Sequence, residues 1–134
     1  MRIGDAARAS GLPVKTVRYY ADIGLVAPSG RAGNGYRDYA QSDVQRLGFV
    51  RRARAFGFSI DDCRELLGLY SDRDRASADV KRMAESRIED LDRQMTELAA
   101  LRADLQRLAD ACAGDGRPDC PILNGLAGGA ARRG

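Results

Sequence analysis

Residues 78–111 contain neither glycine nor proline. No other feature of the chain restricts its fold as much, because a helix over that stretch, rising ~1.5 Å per residue, is about 50 Å long. Along it Ala84, Ile88, Leu91, Met95 and Leu98 recur in steps of four and three, and Leu101, Leu105, Leu108 and Cys112 continue the stripe. The extra three-residue step from Leu98 to Leu101 departs from a strict heptad. Most remaining positions are Arg, Asp, Glu or Gln. So narrow an apolar stripe on so long a helix asks for a partner helix, most simply the same helix of a second copy in a homodimer. The alternative is packing against the chain's own middle helices.

Composition narrows the function classes. The chain of 134 residues fits one compact unit, or a small domain with a helical arm. No apolar run approaches the roughly 20 residues of a membrane-spanning helix, and "MRIGDAARAS" lacks the apolar block of a secretory signal. A cytoplasmic protein with reduced thiols is expected, and three cysteines argue against a disulfide framework. Charge is uneven: residues 1–58 carry 10 Lys/Arg against 4 Asp/Glu, while the remainder is net acidic. A basic front half on an acidic back half is the footprint of a polyanion-binding head. There is no histidine, no paired-carboxylate pocket and no phosphate-binding glycine loop, so an enzyme is not expected.

The front half reads as short helices. "IGDAARASG" places Asp5 at a helix start and Gly11 at its end. "LPVKTVRYYADIGL" opens on Pro13 and sets Val14, Val17 and Ala21 on one face. Two such helices joined by a glycine turn form a helix-turn-helix, whose second helix enters the major groove. In "VAPSGRAGNGYRDY", Asn34-Gly35 signals a hairpin, giving a wing. Two more helices follow in "AQSDVQRLGFVRRARAFGFSIDDCRELLGLY": Ser42 caps the first and Gly57 closes it, Ser59 caps the second, and Cys63, Leu66, Leu67 and Tyr70 form a buried face. Cys63 reads as a reduced core cysteine. The fold class is therefore mostly α: a winged helix-turn-helix, a helical pair, and a long dimerisation helix in a coiled coil. The divisions are residues 1–70 for the head and connecting helices, 71–111 for the linker and dimerisation helix, 112–126 for a loop with a short helix, and 127–134 for a tail expected to be disordered.

Lys15, Thr16, Arg18, Tyr19 and Tyr20 cluster on the second helix, with Arg31, Tyr36 and Arg37 in the wing. Cationic side chains neutralise phosphates and tyrosine hydroxyls fix register on the DNA backbone. Arg46, Arg51, Arg52 and Arg54 add a further basic stripe, some of it structural. The ordered run "VKTVRYYADIGLVAPSGRAGNGYRDY", followed by "LGFVRRARAFGFSIDD", resembles the MerR family of bacterial transcriptional activators along essentially the whole chain. "SADVKR…ACAGDGRPDCPIL" is similar to the copper-efflux-regulator branch. The resemblance implies an antiparallel homodimer, and DNA contacts from Lys15, Thr16, Arg18, Tyr20, Tyr36 and Arg37.

Cys112 and Cys120 are the chemically distinctive pair. A structural Zn²⁺ site takes four ligands; here it would have to recruit Asp115, Asp119 or a second subunit. Two thiolates alone suit a soft monovalent d¹⁰ ion, Cu(I) or equally Ag(I) or Au(I). Gly114 and Gly116 let the loop curl back, and Pro118 and Pro121 stiffen its exit. The resemblance points the same way: family members sensing divalent ions carry a further cysteine at the start of the dimerisation helix, where this chain has Ser77. One ion with two thiolates leaves a net negative charge that needs compensation, for which Lys81 and the start of a short helix near Ile122 are nominated. Competing readings are a redox-sensing disulfide between Cys112 and Cys120, a divalent sensor, cysteines without function, and a copper chaperone or storage protein, which leaves the DNA-binding head unexplained. The resemblance further implies binding to double-stranded promoter DNA between the two promoter elements, alongside RNA polymerase, with metal changing the DNA shape that the dimer imposes and so activating copper-export genes.

Overall fold

The structure is a computed structural model that describes residues 1–31, 37–112, 114–116, 118 and 120–128, with Arg31 and Arg37 described by their backbone alone. Asn34, Gly35, Tyr36, Asp119 and residues 129–134, all singled out by the sequence reading, lie outside the described residues. The order of elements is α1 (Ile3–Ser10), α2 (Val14–Asp22), β1 (Gly30–Arg31), β2 (Arg37–Asp38), α3 (Gln41–Ala55), α4 (Ile60–Ser71), α5 (Ser77–Ala111) and α6 (Pro121–Leu126). The mostly helical class with an N-terminal winged helix-turn-helix is borne out. Two compact units result, Met1–Arg87 and Ile88–Gly134, and the division falls inside α5.

In the first unit, α1 and α2 form the helix-turn-helix. Gly11 ends α1 with φ 78°, a left-handed turn in which its N–H donates to the Ala7 carbonyl. Between the strands, Gly30 pairs with Asp38 and Arg31 with Arg37 in antiparallel register, the ladder of a minimal wing. The core collects Ala6 and Ala7 of α1, Val17 and Tyr20 of α2, Leu25, Val26 and Tyr39 of the connections, Val44, Leu47 and Val50 of α3, and Cys63 and Leu67 of α4. Every helix of the head therefore contributes to one apolar cluster, which fixes the head as a unit.

Three local expectations are corrected. Ser42 does not cap α3: the N-cap position is Ala40, which offers no side-chain acceptor, and the Asp43 carboxylate reaches back to accept from the Ala40 N–H at 2.8 Å. Tyr70 is not in the core; it is 57% exposed and stacks on Phe49 with ring centroids 5.1 Å apart. Val14 is also exposed, so the buried face of α2 is carried by Val17 and Tyr20, three positions apart. Ser59 caps α4 as expected, accepting from the Asp62 N–H at 3.0 Å.

The helix α5 runs 35 residues, and none of its residues is buried. Its polar faces carry ion pairs of the i,i+3 type, Asp79 with Arg82, Asp90 with Arg93 and Asp104 with Arg107, pairs that contribute only a few tenths of a kcal/mol each at an exposed helix surface (~0.3–0.5). Ile88, Leu91, Met95, Leu98, Leu101 and Leu105 are all exposed. In the second unit the short α6 is held close to the end of α5: a Cβ at Gly125 would come within 2.9 Å of Leu108 Cδ1, so a larger residue there requires the Leu108 side chain to shift. Among the described residues, no helix is long and apolar enough to cross a membrane.

Candidate DNA-binding face and metal centre

On α2, Lys15, Arg18 and Tyr19 are exposed and Thr16 is half-buried. Tyr20, also expected at the DNA, is 6% exposed and belongs to the core. Its ring lies 6.0 Å from that of Tyr19, tilted by 48°, which makes it a support for the exposed Tyr19. The cause is helical spacing: the residue three after the fully buried Val17 falls on the same inward face. Arg31 and Arg37 stand opposite each other in the wing ladder.

The basic stripe expected on α3 divides by role. Arg51 Nε donates to the Ser10 carbonyl at 3.0 Å, satisfying the C-terminus of α1. Arg54 donates to the Phe58 carbonyl at 2.8 Å, across the turn that follows α3. Two arginines that sequence reasoning passed over do the same work: Arg64 donates to the Gly24 and Ile23 carbonyls after α2, both at 3.1 Å, and Arg87 to the Phe56 carbonyl after α3 at 2.8 Å. Arginine in a helical stretch carries no sequence mark that separates a cap for a distant carbonyl from a phosphate ligand. Arg52, like Arg51 and Arg54, is exposed, and Arg46 lies close enough to Asp43 to favour its charged form.

In the second unit, α5 ends at Ala111 and the Cys112 N–H still donates to the Ala109 carbonyl at 3.1 Å. The chain then turns through Gly114, with φ 66°, and returns to Cys120, the N-cap position of α6, with Pro121 as its first helical residue. The two sulfurs come to rest 4.0 Å apart, one thiol donating to the other, both half-buried and both free. The Leu123 backbone N–H lowers the Cys120 thiol below its ordinary range; burial works against it, and the Cys112 thiol and then the Ile122 N–H add to the lowering. Cys63 behaves oppositely: it is fully buried in the head core, and burial pushes its thiol up. Among the described residues no group of three or more His, Cys, Asp or Glu comes together as a metal cage. Two collinear metal–thiolate bonds of about 2.3 Å, the zinc value, span about 4.6 Å, somewhat more than the 4.0 Å between the sulfurs, so a small parting of the two would seat one ion in line between them. The donor set fits a soft ion content with two sulfurs. Ser77 and Lys81 are exposed in the first turns of α5, at the opposite end of that helix from Cys112.

Comparison with known proteins identifies the family. Residues 1–69 match the model of the MerR HTH family regulatory proteins, and residues 44–108 match the model described as MerR, DNA binding. The chain is 55% identical over 130 residues to the HTH-type transcriptional regulator HmrR of Rhizobium leguminosarum bv. viciae, covering 97% of this chain and 100% of that one. It is 41% identical to the HTH-type transcriptional regulator CueR of Salmonella typhimurium, over 96% of this chain and 93% of that one. Among solved structures it is similar to the transcription regulator PbrR691 from Ralstonia metallidurans CH34 in complex with lead(II), at 33% identity and a TM-score of 0.79, covering 94% of this chain and 98% of that chain. These are families and relatives of transcription regulators, not enzymes. With a winged helix-turn-helix head, a long exposed helix and matches spanning nearly its full length, the chain belongs to the MerR family of helix-turn-helix regulatory proteins.

Proposed function

We propose that this chain is a metal-responsive transcriptional activator that binds promoter DNA as a homodimer and switches on copper-efflux genes when Cu(I), or Ag(I) or Au(I), is held by Cys112 and Cys120. The observation that carries this reading is the pair of reduced sulfurs 4.0 Å apart beside α6, with no third acidic, cysteine or histidine ligand gathered among the described residues. Support for a metal effector comes also from relatives, one of which is named a heavy metal-dependent transcription regulator, at 46% identity, and another CueR.

When bound, a monovalent d¹⁰ ion supplies two sulfur bonds and leaves one net negative charge on the pair. The chain's own residues do the rest. Cys120 gives up its proton readily because the Leu123 and Ile122 N–H groups face its sulfur. Those same dipoles offset the residual charge. Ser77 and Lys81 stand in the first turns of α5, and the loop follows its last residue. In an antiparallel dimer the start of the partner's α5 meets this loop, and Lys81 then supplies the compensating cation. DNA contacts fall to Lys15, Thr16, Arg18 and Tyr19 on α2 and to Arg31, Tyr36 and Arg37 on the wing, with Tyr20 underneath. Both forms of the dimer hold the promoter spacer. Ordering of the loop favours one dimer geometry, and the bound DNA is deformed so that RNA polymerase can use both promoter elements. The cytoplasm is the compartment in which such thiols stay reduced.

Cys112→Ser and Cys120→Ser variants are expected to bind promoter DNA as the wild type does and to lose copper-stimulated transcription in vitro. Loss of DNA binding in either variant contradicts the two-state reading. The nearness of the sulfurs also favours a second reading, a dithiol–disulfide switch; transcription driven by an oxidant with no metal added is its signature.

A further inference from the structure

Among the described residues the wing shows two residues in each strand, Gly30–Arg31 and Arg37–Asp38. Its two feet converge on one side chain. Asp43, in the first turn of α3, is 1% exposed. Its Oδ2 accepts from the Ser29 N–H at 3.0 Å, from the Ser29 hydroxyl at 2.8 Å and from the Ala40 N–H at 2.8 Å. Ser29 immediately precedes β1, and Ala40 lies two positions beyond β2. One carboxylate oxygen thus ties the entry and the exit of the wing to α3. The other oxygen, Oδ1, is buried and has no hydrogen-bond partner among the described residues. Burial alone would push this carboxyl up; the donors from Ala40 and Ser29, helped by Arg46, outweigh it and hold the group below the usual carboxylate range. A buried anion balanced chiefly by the feet of the wing resists their separation, because splaying them leaves the charge unpaired. The same helix α3 carries Arg51, which caps α1 at the Ser10 carbonyl. Wing and helix-turn-helix are therefore fixed to one element.

We infer that Asp43 is a positioning residue for DNA binding: by clamping Ser29 and Ala40 to the start of α3, it sets the angle at which the wing meets the phosphate backbone. This rests on the reading that the wing grips DNA through Arg31, Tyr36 and Arg37.

The test uses the full-length protein and a duplex that the wild type selects from a random-sequence pool. Affinity is measured across a range of salt concentrations for the wild type, Asp43→Asn, Ser29→Ala, Arg37→Ala and the double variant Asp43→Asn/Arg37→Ala, at a temperature where circular dichroism shows each to be folded. Asp43→Asn is expected to weaken binding on the order of tenfold, through loss of the charged acceptor, and Ser29→Ala by a few-fold. Both should flatten the salt dependence, as Arg37→Ala does, because a misplaced wing neutralises fewer phosphates. The double variant should bind no worse than Arg37→Ala alone. A merely structural loss leaves the salt slope of the folded protein unchanged, so an unchanged slope in Asp43→Asn overturns the inference. Wild-type binding by Asp43→Asn beside a weakened Arg37→Ala also overturns it, while leaving the wing contact standing. Wild-type binding by both variants removes the wing contact and the inference together. Should Asp43→Asn fail to fold, Ser29→Ala decides: an unaltered affinity and slope there overturn the clamp.

Discussion

Three cysteines carry the same thiol into two kinds of setting. Cys63 is walled into the head core, where burial disfavours its thiolate; Cys112 and Cys120 sit half-exposed within hydrogen-bond reach of each other, and Cys120 faces two backbone donors. Thiolate fraction and access together set reactivity. In the reduced protein without metal at neutral pH, alkylation followed by peptide mass spectrometry is expected to modify Cys120 well before Cys63, and prior loading with Cu(I) should suppress the labelling of Cys120 and Cys112. The burial of Cys63 was legible from its i, i+3, i+4 pattern with Leu66 and Leu67, and the cysteine pair from the residues between them. The burial of Tyr20 was not, because two adjacent tyrosines look alike in a sequence, and only the packing of α2 decides which one faces inward. Asp43 was equally silent: an acid near a helix start fits the helix dipole, and nothing local announces that its partner is Ser29, fourteen positions away.

Helix ends, as well as helix faces, hold the head together. Gly11, Gly24 and Gly57 each adopt the left-handed conformation after a helix, and the carbonyls left over there are met by Arg51, Arg64 and Arg87. Gly57 is the most demanding of these, with φ 88° and the Arg87 guanidinium where a Cβ would stand. Gly57→Ala is expected to cost about 1–2 kcal/mol for the left-handed backbone, and more as Arg87 is displaced from the Phe56 carbonyl. Urea denaturation of the purified variant measures this, and wild-type stability would refute it. Glycine as a helix terminator was readable in advance; the arginines that complete each terminus come from elements 31 to 41 residues away, so their role exists only in the folded chain.

At the scale of the molecule, α5 presents Met95 and Leu98 at 67% and 64% exposure, in the middle of a stripe that nothing in its own chain covers among the described residues. An apolar row of that length is costly to leave in water, and self-association through it removes the cost. Leu98→Glu combined with Leu105→Glu is expected to convert a dimer to a monomer in analytical ultracentrifugation and to weaken promoter binding by at least about a hundredfold, because a single head loses the gain from a tethered second one. A dimer that survives both changes would place the interface elsewhere. The stripe itself is plain in the sequence, since a helix without glycine or proline keeps its period; how the loop at one end meets its surroundings is not, because under the proposed antiparallel dimer that depends on a second copy.

The most direct measurement is an X-ray absorption spectrum of the Cu(I)-loaded, full-length protein at one ion per chain. Two sulfur scatterers per copper and no nitrogen or oxygen neighbour are expected if Cys112 and Cys120 complete the site. Three or four near neighbours around the ion, or an ion that remains fully bound in Cys112→Ser, would contradict it.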